Sequence, residues 1–251
     1  MPHRAAHHAL LRAVGVQFRF VIAGLGNPEA RYARNRHNIG FEVVDAFAES
    51  VGADSWRSKF NGEIARCRTS QLDVLLVRPM TYMNESGRCI QSVLSFFRIP
   101  SSDLLVVHDE LDLPFGTLRL KPGGGHAGHN GLRSIIQHLG KPEFARLRVG
   151  IGKPPQGFRG EVADFVLSDF SAEQRDALPE VIDKAVKSLR LVLRRGLGEA
   201  TKSLNTRPKP KKSRPKPVPG AVNHADHGEN LNSLEEKQSQ TDEKPNVKSR
   251  M

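Results

Sequence analysis

The chain of 251 residues carries 38 Lys and Arg against 27 Asp and Glu, a net charge of +11, and only 38% of it is hydrophobic. That length suits one sizeable domain plus extensions, and the basic excess points to a polyanionic partner, nucleic acid first and an anionic membrane surface second. Two cysteines exclude a disulfide framework, and apolar runs as short as Val74–Val77 and Leu104–Val107 fall far below the ~18 residues of a bilayer span, which excludes an integral membrane protein.

Residues 1–19 hold three Arg, three His and no acid. They read as an N-terminal extension, or as an organellar presequence, which is typically basic and acid-poor. The domain itself is expected over residues 20–205. Phe18–Ala23 is predicted as an apolar strand. A helix over Asn38–Ser50 follows from Ile39, Val43 and Phe47 at helical spacing. Ile64–Thr69 and Asp73–Arg78 read as strands, and Ser86–Phe97 as a helix with Ile90, Val93, Leu94 and Phe97 on one face. Leu104–His108 and Leu118–Lys121 read as strands, Leu132–Leu139 as a helix, Arg146–Ile151 as a strand and Ser171–Leu193 as a long helix. Strands alternating with helices predict an α/β sandwich with a twisted mixed, largely parallel sheet. Residues 206–251 differ: Thr206–Pro217 reads TRPKPKKSRPKP, with six cations, four prolines and no hydrophobe. This basic, Pro-rich tail lacks the apolar surface to offset ordering entropy and is expected to be disordered.

The polar motifs cluster where predicted strands end. GLGNP at Gly24–Pro28 has Glu29 where a dinucleotide-binding turn needs its third glycine, so it reads as a tight turn that leaves Asn27 at a strand's carboxyl end, where open α/β sheets place ligands. RHNIG at Arg36–Gly40 puts His37 just ahead of a helix, with Asn38 as expected N-cap and the helix's positive end favouring a neutral imidazole. PMTYMNESG at Pro79–Gly87 offers Asn84 as an amide donor, or Asn84 and Ser86 as caps. HDELD at His108–Asp112 places carboxylates after the most apolar strand. KPGGGHAGHNG at Lys121–Gly131 is a glycine-rich loop opening a helix, suited to a phosphate or a carbonyl, and it lacks the Lys-Ser/Thr of a Walker loop. His108, Asp109, His126 and His129 form a weak metal-ligand pattern, and no metal or cofactor is expected. Cys67 and Cys89 read as core thiols. One helix-start His, an Asp and several Asn suit activation of water better than covalent catalysis.

Taken in order, GLGNP, Y-x4-HN-x-G, the Met-Asn pair, HDELD, GGGH-x-GHNGL, RLRVGIG at Arg146–Gly152 and FVL at Phe165–Leu167 resemble the bacterial-type peptidyl-tRNA hydrolase family over roughly residues 20–205. The resemblance implies hydrolysis of the ester between a peptide and the 3′ ribose of tRNA, without cofactor, by a cytoplasmic monomer (or one of an organellar matrix if residues 1–19 are a presequence). It implies His37 as general base, Asp109 as the acid stabilising it, and Asn27 as the residue that distinguishes blocked from free aminoacyl-tRNA. Asn84 and Asn130 become substrate-binding amides. Tyr32 and Tyr82 line the tRNA 3′ CCA end, with Tyr82 where many members have Phe, and Lys121 and Arg148 hold phosphates of the acceptor and T stems. Residues 154–161 depart from the family pattern, and Lys153, just before them, and Arg159, within them, are candidates for contact with RNA. Two other readings are a binding-only RNA protein of the same fold, as in some plant organellar splicing factors, and a metal-dependent hydrolase built on His108, His126 and His129.

Overall fold

The structure, a computed structural model, describes residues 19–68 and 73–206. The expected extension and tail lie outside the described residues except at Arg19 and Thr206, as do Phe18 and Thr69 of two predicted strands.

Seven strands form one sheet: β1 (Arg19–Gly24), β2 (Arg57–Lys59), β3 (Gly62–Arg68), β4 (Asp73–Pro79), β5 (Leu104–Glu110), β6 (Leu118–Lys121) and β7 (Ala145–Gly150). Their order is β2-β3-β4-β1-β5-β7-β6. The inner four, β4, β1, β5 and β7, run parallel, and the outer pairings are antiparallel. β1 and β5 are continuous apolar runs because helices cover both their faces. On one face lie α1 (Ile39–Val51) and α5 (Ala172–Asn205), burying Phe47, Val43, Leu178, Val186 and Leu189 against Ile22, Leu105 and Leu147. On the other lie α2 (Ser86–Phe97) and α3 (Asn130–Leu139), burying Cys89, Ile90, Val93, Leu132 and Ile135 against Val21, Ala23, Leu104 and Val106. The short α4 (Val162–Val166) adds Phe165 to the first core. Both cysteines are buried and unbonded, and burial pushes the Cys89 thiol up to about 12. No described helix is long and apolar enough to cross a membrane.

Three details depart from the sequence reading. β2 is a strand although all three of its residues are exposed; the hairpin is made by Phe60 and Asn61, both at positive φ of 59° and 54°, as a two-residue primed turn requires. α5 runs to Asn205, past a break at Gly196 (φ 78°, ψ 163°), where the helical pattern had been expected to stop at Leu193. The expected N-cap bonds are also not made. Asn38 spends its side chain on Asn27, and Ser86 Oγ donates to the Met83 carbonyl.

The feature that builds the site is the approach of α1 to the sheet. A Cβ on Gly40 would fall 2.4 Å from Leu25 N and 2.5 Å from the Val107 carbonyl oxygen, and one on Gly24 would fall 2.2 Å from the Gly40 carbonyl oxygen. With hydrogen in both places, the first turn of α1 lies directly on the carboxyl ends of β1 and β5.

Candidate active site

The carboxyl ends of the parallel strands carry the polar residues that the interior lacks, as the crevice of an open α/β sheet does. Asn27 follows β1, Asp109 is the last residue but one of β5, and Met83 lies in the 3-10 turn Met83–Glu85 after β4. His37 sits in the 3-10 turn Arg36–Asn38, which α1 brings over β5.

Asn38 and Asn27 lock these pieces together. Asn27 N–H donates to Asn38 Oδ1 at 2.8 Å, and Asn38 Nδ2 donates to the Asn27 carbonyl at 2.9 Å. Asn27 Oδ1 accepts from Met83 N at 2.8 Å. That backbone donor fixes the orientation of the Asn27 amide, because only its oxygen can face an N–H. The outward atom is therefore Nδ2, which makes no hydrogen bond among the described residues.

His37 and Asp109 are both buried and meet at 2.8 Å, Nδ1 to Oδ1. With Asp109 ionised, Nδ1 carries the proton and donates it, which leaves the lone pair on Nε2. No described residue bonds to that nitrogen. Burial pulls the His37 pKa down, and the charge and hydrogen bond of Asp109 more than offset it, so the ring titrates above its ordinary 6.5. The neutral ring expected from the helix start therefore gives way to one whose protonated form Asp109 favours. Burial pushes Asp109 up, but its two histidine neighbours hold it well below the ordinary carboxylate range.

The second histidine is His129. Its Nδ1 accepts from Gly131 N and Leu132 N at 3.1 and 3.4 Å, capping α3, and its Nε2 meets Asp109 Oδ1 at 3.0 Å. A nitrogen that accepts two backbone N–H groups carries no proton, so Nε2–H is the donor to Asp109. One carboxylate oxygen thus serves two imidazoles, whose ring centroids lie 4.9 Å apart. His37, Asp109 and His129 are also the one group among the described residues with three metal-capable atoms, all within 4.8 Å. The His129 tautomer places a proton where a metal would need a lone pair, so the trio does not fit a cation. The anticipated set of His108, His126 and His129 is not assembled. His108 is buried behind Asp109, donates Nδ1–H to the Asp109 carbonyl at 2.6 Å and has its Nε2 unpartnered, while His126 accepts from Gly128 N in the loop. Burial, followed by the nearby His129, lowers the His108 pKa to about 3.

The other expected residues surround this centre at differing depths. Tyr82, 53% exposed, and exposed Asn84 flank the buried Met83. Tyr82 lines an open cleft of about 770 Å³ with Pro28, Glu29, Lys59, Met80 and Arg88. Tyr32 is half-buried, with the Arg31 guanidinium 4.7 Å above its ring. Asn130, exposed at the start of α3, accepts from Arg133 at 3.0 Å. Lys121 is exposed at the end of β6. Arg148 is not a free cation, since its Nε donates to Glu110 Oε2 at 2.7 Å. Lys153 pairs with Asp112 at 3.1 Å.

Four residues escaped the sequence reading. All four stand in the quoted motifs, where Asn38 reads only as a helix cap, His129 only as a metal candidate, and Arg36 and Arg146 carry no role. Arg146 is 2% exposed and donates to the carbonyls of Gly124 and Gly125, clasping the glycine-rich loop. Arg36 anchors the turn that carries His37. Nothing local announces a buried arginine. The only cue was its apolar strand or helix-start setting, where a solvated charge is out of place.

Residues 21–213 match the family description "Peptidyl-tRNA hydrolase". The chain is 56% identical over 192 residues to the peptidyl-tRNA hydrolase of Sorangium cellulosum (strain So ce56), covering 76% of this chain and 86% of the relative. It is 42% identical over 187 residues to that of Bacillus subtilis (strain 168), covering 74% and 98%. The crystal structure of peptidyl-tRNA hydrolase from Acinetobacter baumannii superposes with a TM-score of 0.69 at 39% identity, covering 74% of this chain and 94% of that one.

Proposed function

The chain belongs to the peptidyl-tRNA hydrolase family, and from that membership we propose that it hydrolyses the ester joining a peptide to the 3′ ribose of tRNA, recycling tRNA from prematurely released peptidyl-tRNA. It is a carboxylic ester hydrolase on this reading. The observation that carries the proposal is the 2.8 Å contact of His37 Nδ1 with Asp109, which leaves Nε2 as a basic lone pair at the carboxyl edge of the sheet.

His37 takes the proton of a water as that water attacks the ester carbonyl. The imidazolium that forms faces ionised Asp109, which stabilises the charge without accepting the proton. The proton then passes to the departing ribose oxygen. Asn27 meets the substrate with an N–H, a partner for the carbonyl of a blocked amino acid. The free ammonium of an aminoacyl-tRNA carries only donors and meets that N–H unfavourably, which is the basis of discrimination. Asn84 and Asn130 add exposed amides at the mouth. Tyr32 and Tyr82 stack on the CCA end, and Lys121 with Arg148 meets phosphates of the acceptor and T stems. No step requires a cofactor or a second subunit. A binding-only role would leave the buried imidazole–carboxylate pair without work.

The test is release of N-blocked amino acid from aminoacyl-tRNA by the full chain in the presence of a metal chelator. Turnover is expected; binding of tRNA without turnover would overturn the proposal.

A further inference from the structure

The base stands on a turn of only three residues, and the hydrogen bond of its buried ring among the described residues is the one to Asp109, with the His129 ring 4.9 Å away. Its aim also depends on what holds the neighbouring residues. Asn38 is tied to Asn27, as described. Arg36, on the other side, reaches away from the site and is 7% exposed. Its Nη1 donates to the Ser168 carbonyl at 3.1 Å, to Ser168 Oγ at 2.7 Å and to the Asp169 carbonyl at 2.5 Å, and its Nη2 donates to Gln174 Oε1 at 2.9 Å. The guanidinium carbon lies 4.4 Å from the centre of the Phe165 ring and 5.4 Å from that of Phe170. The backbone repeats the link. Arg36 N donates to the Ser168 carbonyl, Asn35 pairs with Asp169 as an isolated bridge, and Asn35 Nδ2 donates to the Leu167 carbonyl.

We propose that Arg36 is the positioning residue of the base, a rod that fixes the His37 turn to the segment joining α4 to α5. This rests on the reading of His37 as the base.

The chemistry favours arginine here. A planar fork satisfies several carbonyls at once while its faces rest on two aromatic rings; a lysine offers one compact charge and no plane. Burying a cation is costly unless such acceptors are supplied, and a hydrophobe would fill the space without them. Gln174 also has a second duty. Its Oε1 accepts from Ser171 N in the capping box of α5, so the start of the last helix and the aim of the base share one amide. The anchor spans more than 130 residues of sequence.

The groups facing His37 are Asp109 from β5 and His129 from the cap of α3; Asn27 and Asn38 are neutral. Loosening the turn weakens contact with Asp109, so a protonated ring loses support and titrates lower.

The experiment measures kcat and KM for an N-blocked aminoacyl-tRNA across pH with Arg36→Met, Arg36→Lys and, should the first fail to fold, Ser168→Ala and Gln174→Ala. Arg36→Met should lower kcat about ten- to a hundredfold with KM changed less than about twofold, as expected for a misaimed base. The acid limb of kcat should move to lower pH. Arg36→Lys should recover little, and the two acceptor variants should shift kcat and the limb in the same direction by smaller amounts. An unchanged kcat and acid limb in any folded Arg36 variant, or a loss accounted for wholly by a lower folded fraction, would overturn the proposal. His37→Ala separates the two claims: if it stays active, the base assignment fails, and if it is inactive while Arg36→Met is normal, only the anchor fails.

Discussion

At the scale of single residues, the site depends on which atom of each side chain is already engaged. His37→Ala should lower kcat by roughly 10²–10⁴ in a protein that still folds and binds tRNA. Because Asp109 raises the pKa of His37, kcat should fall with acid around a value above 6.5. Asp109→Asn should cut kcat and move that limb lower; a limb that stays put would remove Asp109 from the role. Stability should also depend on pH, and in two directions. The raised His37 pKa contributes stability that is complete below 6.5 and lost as pH rises through the folded value. His108 does the opposite. Its folded pKa of about 3 lets the unfolded chain bind the extra proton first, so stability drops from 6.5 downward, by up to about 1.4 kcal/mol per pH unit. Chemical denaturation across this range should show a maximum near 6.5, and His108→Asn should flatten its acid side. The motifs made His37, Asp109 and Asn27 legible in the sequence, because strand ends and helix starts can be read locally. The engagement of Asn38, His129 and Arg36 could not be read, since each finds its partner 11 to 138 residues away.

At the scale of elements, one contact between helix and sheet decides whether the site exists. Gly40→Ala should cost about 1–3 kcal/mol as overpacking, and it should reduce kcat by lifting His37 from β5. A urea midpoint equal to that of the unsubstituted protein would show that α1 has room to spare. The neighbouring strands β6 and β7 make a second comparison. Lys121→Ala removes an exposed cation and should raise KM with little change in kcat, flattening the salt dependence of tRNA binding by about one counterion. Arg148→Ala should do this and also lower stability by about 1–3 kcal/mol, because Glu110 is left buried without its partner. Equal stability of the two variants would count against the difference drawn between them. Most elements followed from apolar periodicity. β2 did not, because Arg57, Ser58 and Lys59 have no buried face and owe their strand to the turn beyond them. The end of α5 was missed because Gly196 marks a break that the chain crosses and then resumes.

At the scale of the whole molecule, the parallel centre and its helical layers were readable from alternating elements, while the order of strands was not, since it depends on crossovers that periodicity does not encode. The basic segment Thr206–Pro217 follows Asn205, whose side chain accepts from Leu120 N at 3.0 Å and donates to the Leu120 carbonyl at 2.8 Å. A chain ending after Asn205 should therefore keep its melting temperature and kcat and lose RNA affinity modestly, more at low salt. Asn205→Ala should instead cost about 1 kcal/mol or more for the two lost bonds, with thermal denaturation as the check. That asparagine has a further consequence. Its amide imitates a strand residue and occupies backbone groups of β6 that would otherwise be open to another chain. The opposite edge, β2, is three residues long and carries Arg57 and Lys59. A sheet with both edges open can polymerise, whereas one with a single short, charged edge can at most pair with its own copy and then stop. The net charge of +11 favours concentration on polyanions, and among the described residues the covered β6 backbone and the short, charged β2 are expected to disfavour strand-to-strand growth there.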